Sequence, residues 1–182
     1  MDDSASANTA PRQVLLIGGG AGVGKTTVGW EVSVLLRSRD VAHCVIEGDV
    51  LDQIHPAPAD DPARSRVTER NLAALWANYA ALGQRRLVYT NTVSVLEVPM
   101  FRRALGPGPL DVTLVLLTAG EDVVRERLAR RETGSQLEPH IERSLRMAAH
   151  LEAEAPEGTV RVATDGLGVE QVAARVVAAA GW

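Results

Sequence analysis

Residues Gly19 to Thr26 read GGAGVGKT, a complete G-x-x-x-x-G-K-[ST] pattern. Those residue types at that spacing suit one kind of chemistry. The glycines let the backbone curl, so that successive N–H groups and the start of the next helix face anionic oxygen. Lys25 is then set to bridge the terminal phosphates of a nucleotide, and Thr26 to give its hydroxyl to magnesium. The expected nucleotide contacts are Gly19, Gly20, Ala21, Gly22, Val23, Gly24, Lys25, Thr26 and Thr27, with Thr26 as the metal ligand. An apolar strand precedes the loop and a helical stretch, KTTVGWEVSVLL, follows it. That is the context the pattern requires.

Such a loop needs an acid nearby, and its source is not obvious. The stretch RLVYTNTVSV (86–95) reads as a buried strand that ends in Thr90, Asn91 and Thr92. Proteins with this loop often carry a magnesium-holding aspartate at that place. The second strand ends VIEGDVLDQIH, with Asp49 just past it. A carboxylate there sits near the γ-phosphate end of the loop. It can accept a hydroxyl proton during attack on phosphorus, or hold a magnesium water. It can equally cap a helix beginning around Val50.

The elements that must position these residues follow from periodicity. Nearly continuous apolar runs at 13–18, 42–48, 86–91, 111–118 and 159–164 predict strands covered on both faces. Helical patterns at 25–38, 62–83, 94–105, 120–132, 137–153 and 168–180 alternate with them. Such alternation predicts an α/β fold, a five-stranded parallel sheet between two helical layers, with ligands at the carboxyl ends of the strands. Asp61-Pro62 predicts a capped helix start and Gly83 its end. Ser135 and Glu138 have capping-box spacing, while Pro139 marks an alternative first turn. In the helix at 62–83, Leu72, Leu75, Tyr79 and Leu82 form an apolar stripe beside Trp76.

Composition narrows the class further. The chain of 182 residues suits one domain at 12–182 behind a polar, disordered leader at 1–11. A net charge of −4 argues against a nucleic-acid surface. The longest apolar run, VTLVLLTA, is too short for a membrane span, so a cytoplasmic protein is expected. The lone Cys44 reads as a core residue rather than a reactive thiol. The final helix, VEQVAARVVAAAGW, reads as packed on the sheet, and a monomer or a homodimer is expected.

Together these residues resemble the P-loop small-molecule kinases. IEGDVLD resembles the DGD element of adenylylsulfate kinases and gluconate kinases, and chloramphenicol phosphotransferases carry a base-like aspartate at the same place. The resemblance runs through the loop, the Asp49 element, a third strand without its acid, the RLARR helix and a closing strand–helix pair. It implies a P-loop fold like that of the nucleoside and nucleotide kinases, with a short lid. It implies ATP and magnesium, and phosphoryl transfer to a small-molecule acceptor such as a metabolite or an antibiotic hydroxyl. Asp49 would then take over the missing acid's work, and Asn91 would line the acceptor pocket. In the helix GEDVVRERLARRE, the similar kinases set an arginine like Arg127 against adenine and one like Arg131 on the phosphates, with Arg130 able to substitute. A solvated helix with dipole-offsetting arginines is the ordinary alternative. The implied catalytic set is Lys25, Asp49 and Arg131. RETGSQLEP, at about 132–138, reads as the lid, and the turn VATDGLG would touch the adenine edge.

The acceptor is expected between Asp49 and the helix at 62–83, with Asp52, Arg70, Asn71 and Asn91 as its contacts. Arg64, Arg66 and Arg70 suit an anion, whereas Asp52 suits a hydroxyl or an amine. Asn71 and Asn78 border the apolar stripe and face either a pocket or solvent. His55 has no partner at metal-ligand spacing and reads as structural. Two other functions remain open: a nucleoside or nucleotide kinase, and a regulatory ATPase with slow hydrolysis. The second usually needs the third-strand acid. NTVSV and TAGED stand where a GTPase would carry D-x-x-G and N-K-x-D, and Gly20 replaces the early second lysine of partitioning ATPases.

Overall fold

The computed structural model describes residues 11–131 and 135–182. The elements are β1 (Arg12–Gly18), α1 (Lys25–Ser38), β2 (Cys44–Glu47), α2 (Ser65–Ala81), β3 (Arg86–Thr90), α3 (Val98–Ala104), β4 (Leu110–Thr118), α4 (Glu121–Ala129), α5 (Leu137–Glu154), β5 (Val160–Ala163) and α6 (Val169–Ala180). The five strands form one parallel sheet in the order β2-β3-β1-β4-β5.

β1 shows why the sequence folds this way. Its side chains alternate across the sheet, and both sets are apolar. Leu15 and Ile17 pack with Val28, Val32 and Leu36 of α1 and Val172, Val176 and Val177 of α6. Val14 and Leu16 pack on the opposite side with Leu72 and Trp76 of α2 and Phe101 of α3. Each such side chain contributes about 1.5–3 kcal/mol when fully buried. The chain runs from β1 through α1 to β2 and β3 on one flank and then crosses to β4 on the other, so a crevice opens at the carboxyl end of β1. The loop at 19–24 lies in that crevice. Among the described residues, no helix is long and apolar enough to cross a membrane.

Several local expectations are corrected. The helix expected from 62 begins at Ser65, because the chain reverses at Arg64 with φ 58°. Asp61 still serves the helix start: its buried carboxylate accepts the N–H groups of Arg66 at 3.0 Å and Val67 at 3.1 Å. The apolar stripe is narrower than expected, since Leu72 and Trp76 are buried while Leu75 and Leu82 lie exposed on its flank. The helix expected at 94–105 is divided into a single 3-10 turn, Ser94–Leu96, and α3. Pro99 lacks an N–H and is accommodated in the first turn of α3. No capping box forms at Ser135. Glu138 instead pairs with Arg125 at 3.0 Å, and Pro139 occupies the first turn of α5. Leader residues 1–10 and lid residues 132–134 lie outside the described residues.

α1 approaches the sheet closely at Gly29. A Cβ there would lie 2.6 Å from Cγ2 of Thr90, whose side chain is buried in β3. Gly29→Ala is therefore expected to destabilise the fold by about 1–3 kcal/mol through overpacking. Urea denaturation measures this, and an unchanged midpoint would contradict the close approach.

Candidate active site

The loop after β1 is braced from outside through its carbonyls. Ser144 of α5 donates its hydroxyl to Ala21 O at 2.8 Å. Arg127 of α4 donates to Gly22 O at 3.3 Å and to Val23 O at 3.4 Å. Gly24 holds φ 96° just before α1, a left-handed backbone that a Cβ would disfavour. α1 then begins at Lys25, so its first N–H groups and the positive end of its dipole belong to the loop.

Lys25 is the centre of the site's charge. Its Nζ donates to Gly20 O at 3.1 Å. Burial lowers its pKa from the ordinary 10.5; Asp49 and Glu47 oppose that shift, and Arg131 adds to it. Two acids and an arginine therefore act on one ammonium. Thr26 donates its hydroxyl to Glu47, the last residue of β2. No motif marks Glu47, although it stands two residues before Asp49 in the same stretch. Thr26, Glu47 and Asp49 offer hard oxygen atoms of the kind magnesium prefers. The described residues contain no group of three His, Cys, Asp or Glu side chains able to hold a metal by themselves.

Asp49 lies inside a 3-10 turn, Gly48–Val50, so it does not cap a helix at Val50. Its Oδ1 accepts Nδ2 of Asn91 at 2.8 Å. Oδ1 of Asn91 accepts the N–H of Val93 at 3.0 Å. Both ends of the Asn91 amide are thus engaged, and the residue orients Asp49. Gly48 is the only residue type that fits its position, because a Cβ would stand 2.1 Å from the Tyr89 hydroxyl and 2.9 Å from Asn91 Cβ. Desolvation raises the Asp49 pKa above the ordinary 3.8, helped by Glu47 and Asp52 and opposed by Lys25 and Asn91.

Two clefts flank the loop. One, of about 320 Å³, lies between the loop, α4 and the start of α6, and includes Thr27, Arg127, Thr164, Leu167 and Val169. Arg127 is pinned there by Thr164, with Nη1 to Oγ1 at 2.8 Å and Nη2 to the carbonyl at 3.2 Å. The other, of about 410 Å³, is lined by Lys25, Thr26, Asp49, Thr92, Arg131 and His140. Arg131 lines both. Arg130 lines the first and pairs with Glu126. In the turn after β5, Asp165 accepts the Gly120 N–H at 3.0 Å and so joins this turn to the one after β4.

The expected acceptor contacts are more dispersed. Asn71 donates to Leu51 O at 2.6 Å and braces the Asp49 turn. Asp52 pairs with Arg64 at 3.3 Å. Arg70 is exposed on α2 and lines neither cleft. Asn78 is exposed as well, as is His55. Ser144, Thr164 and His140 enter the site without any motif to mark them. Cys44 is buried in the core, with its thiol pushed up to about 12 by burial, as its apolar strand suggests.

This arrangement of sheet order, loop and flanking clefts is the fold of the P-loop small-molecule kinases. The chain is similar to a gluconokinase from Sinorhizobium meliloti 1021, at 21% identity and TM-score 0.59 over 96% of this chain and 94% of that one. It is similar to the Deinococcus radiodurans tunicamycin resistance protein, at 19% identity and TM-score 0.61 over 94% and 96%. It is also similar to the APS kinase CysC of Mycobacterium tuberculosis, solved with AMPPNP and APS, at 20% identity and TM-score 0.57 over 95% and 100%. No protein-family model and no curated protein sequence matches the chain.

The raised pKa of Asp49 has a consequence for stability. The folded chain binds this proton more tightly than the unfolded chain. Ionisation therefore costs stability as pH rises from 3.8 through the raised value, and the full cost is present at neutral pH. Asp49→Asn is expected to melt at or above the wild-type temperature at neutral pH, with the gap closing as pH falls toward 3.8. A lower Tm at neutral pH would mean that the hydrogen bond from Asn91 outweighs desolvation.

Proposed function

We propose that this chain is an ATP- and magnesium-dependent kinase that phosphorylates a hydroxyl of a small molecule, either a metabolite or an antibiotic. One observation carries the reading: Lys25, Thr26, Asp49 and Arg131 line a single cleft at the carboxyl end of the central strand. The adjoining cleft, with Arg127 fixed by Thr164, suits the adenine and ribose. The similar solved structures include a gluconokinase, a tunicamycin resistance protein and a shikimate kinase in complex with shikimate, and their names support a small acceptor.

In the proposed reaction the acceptor hydroxyl oxygen attacks the γ-phosphorus. The bond from that phosphorus to the β,γ-bridging oxygen breaks, and ADP leaves with its electron pair. Asp49, held by Asn91, takes the hydroxyl proton. Lys25 and Arg131 offset charge on the transferring group and the leaving oxygen. Magnesium, when held by the Thr26 hydroxyl with Glu47 beside it, supplies further charge neutralisation. An ATP-consuming reaction of this kind suits the cytoplasm.

Mass spectrometry of a cell extract incubated with magnesium-ATP and the purified protein tests the reading. A small molecule is expected to gain a phosphoryl group. Arg131→Ala is expected to lower turnover roughly 10³-fold or more, whereas loss of a dipole contact alone costs under about 1 kcal/mol of stability. The rate is also expected to rise with pH through the Asp49 pKa, placing the acid limb above 3.8. Slow, acceptor-independent hydrolysis that Asp49→Asn leaves unchanged would make the chain a regulatory ATPase instead.

A further inference from the structure

The two edges of the sheet are built differently. β5 carries Arg161, which reaches back to Glu152 of α5 at 2.7 Å. A charged side chain on an edge strand discourages pairing with another chain. β2 reads CVIE, with no lysine, arginine or proline, and β3 is its single strand partner. Its outer N–H and C=O groups therefore meet no further strand among the described residues.

A groove of about 610 Å³ runs along this edge, between α1 and the end of α2. Trp30, Ser33 and Arg37 line one side and Tyr79 and Leu82 the other, with Cys44 and Val45 of β2 between them. Spacings of three and four put Trp30, Ser33 and Arg37 on one face of α1. The large apolar side chains are open to solvent: Trp30 is 54% exposed and Leu82 79%. Ser33 and His43 are spent on each other. Nδ1 of His43 donates to Val41 O at 2.7 Å, which leaves Nε2 to accept the Ser33 hydroxyl at 2.8 Å. The groove leaves unmatched an apolar surface, a strand edge and the guanidinium of Arg37, which is exposed.

This surface is complementary to itself. A two-fold axis normal to the sheet sets β2 antiparallel to β2 of a second copy, about 4.8 Å away. The same axis sets α1 antiparallel to its copy alongside. Ser33 then meets its own copy near the axis, and Trp30 meets Arg37 of the second copy, twice by symmetry. A guanidinium over an indole face is favourable, and tryptophan and arginine are the residue types that dominate interfaces. On the other side of the sheet, Tyr79 and Leu82 close on their copies. The edge is also large enough. Three layers about 30 Å thick, along a helix of 14 residues about 21 Å long, present roughly 600 Å² in outline, near the ~800 Å² per partner of a stable complex.

We infer that the chain forms a homodimer in which the two β2 edges pair, joining the sheets into one of ten strands, five from each copy. The occupant of the groove is the second copy's α1 and α2. The carboxyl ends of the two sheets point in opposite directions, so each phosphate-loop crevice stays open. The dimer holds whether or not the chain is a kinase.

Analytical ultracentrifugation of the full chain over a range of concentrations tests this, with amide hydrogen exchange of residues 44–47 as a second readout. A dimer is expected, with the β2 amides exchanging more slowly in the dimer than in dilute monomer. Trp30→Lys sets two cations together at both symmetric contacts and is expected to weaken the dimer about thirtyfold or more, as for a buried anchor residue. Its Tm, measured in dilute monomer, is expected to match the wild type, since Trp30 is exposed there. Adding Arg37→Glu is expected to recover association, because lysine then faces glutamate across the axis. A monomer at every concentration, a dimer that Trp30→Lys leaves intact, or β2 amides that exchange alike in both states each overturns the inference. Failure of Arg37→Glu to recover association overturns the antiparallel register of α1.

Discussion

Two backbone hydrogen bonds set the relation on which the rest of the site depends. The N–H of Asn91 donates to Ile17 O at 3.2 Å, and the N–H of Gly19 donates to Thr92 O at 3.1 Å. They carry the pairing of β1 and β3 past the strand ends and into the loops. The phosphate loop and the residue that orients Asp49 are thereby held in one register. A slip of one residue would turn every side chain of β3 to the opposite face and separate the two. The burial of β1 on both faces makes such a slip costly, since Leu15, Leu16 and Ile17 are completely enclosed.

On this frame the charges are arranged in opposition. Lys25 and Arg131 repel one another, while Glu47 and Asp49 offset them. Desolvation penalises the charged forms of both Lys25 and Asp49. The proposed nucleotide phosphates on the cations, with the proposed metal ion on the oxygen side, would offset both penalties. Asp49 stands in the turn after β2, and Asn91 turns the polar end of the third strand into a support for it.

Much of this was legible in the residues, and the remainder was hidden for a physical reason. The loop, the strand sequence and the position of Asp49 are local matters: they depend on spacing along the chain and on apolar periodicity. Glu47, Ser144, Thr164 and His140 join the site only because distant elements meet there. A lone serine in α5 carries no mark of contact with a loop 123 residues away. Residue type also misleads when pairing is unseen. Arg64 and Arg66 look like an anion site in the sequence and are ion-paired in the fold. Residue type also leaves unseen that the amide of Asn91 is engaged by Asp49 and Val93. α2 starts later than Asp61-Pro62 suggests, because Asp61 caps it across a chain reversal rather than from the adjacent position.

β2 is the shortest kind of strand in the sheet, four residues long, and it lies at the edge with β3 as its single partner. Edge strands are held by fewer backbone bonds than central ones and exchange with solvent at lower free energy. Glu47 ends this strand, and Asp49 follows in the turn beyond it, whereas the phosphate loop grows from the central β1. The two halves of the chemistry are therefore unequally anchored. Under mild denaturing conditions the acids are expected to detach before the phosphate loop, which would leave the proposed enzyme able to hold a nucleotide without acting on it.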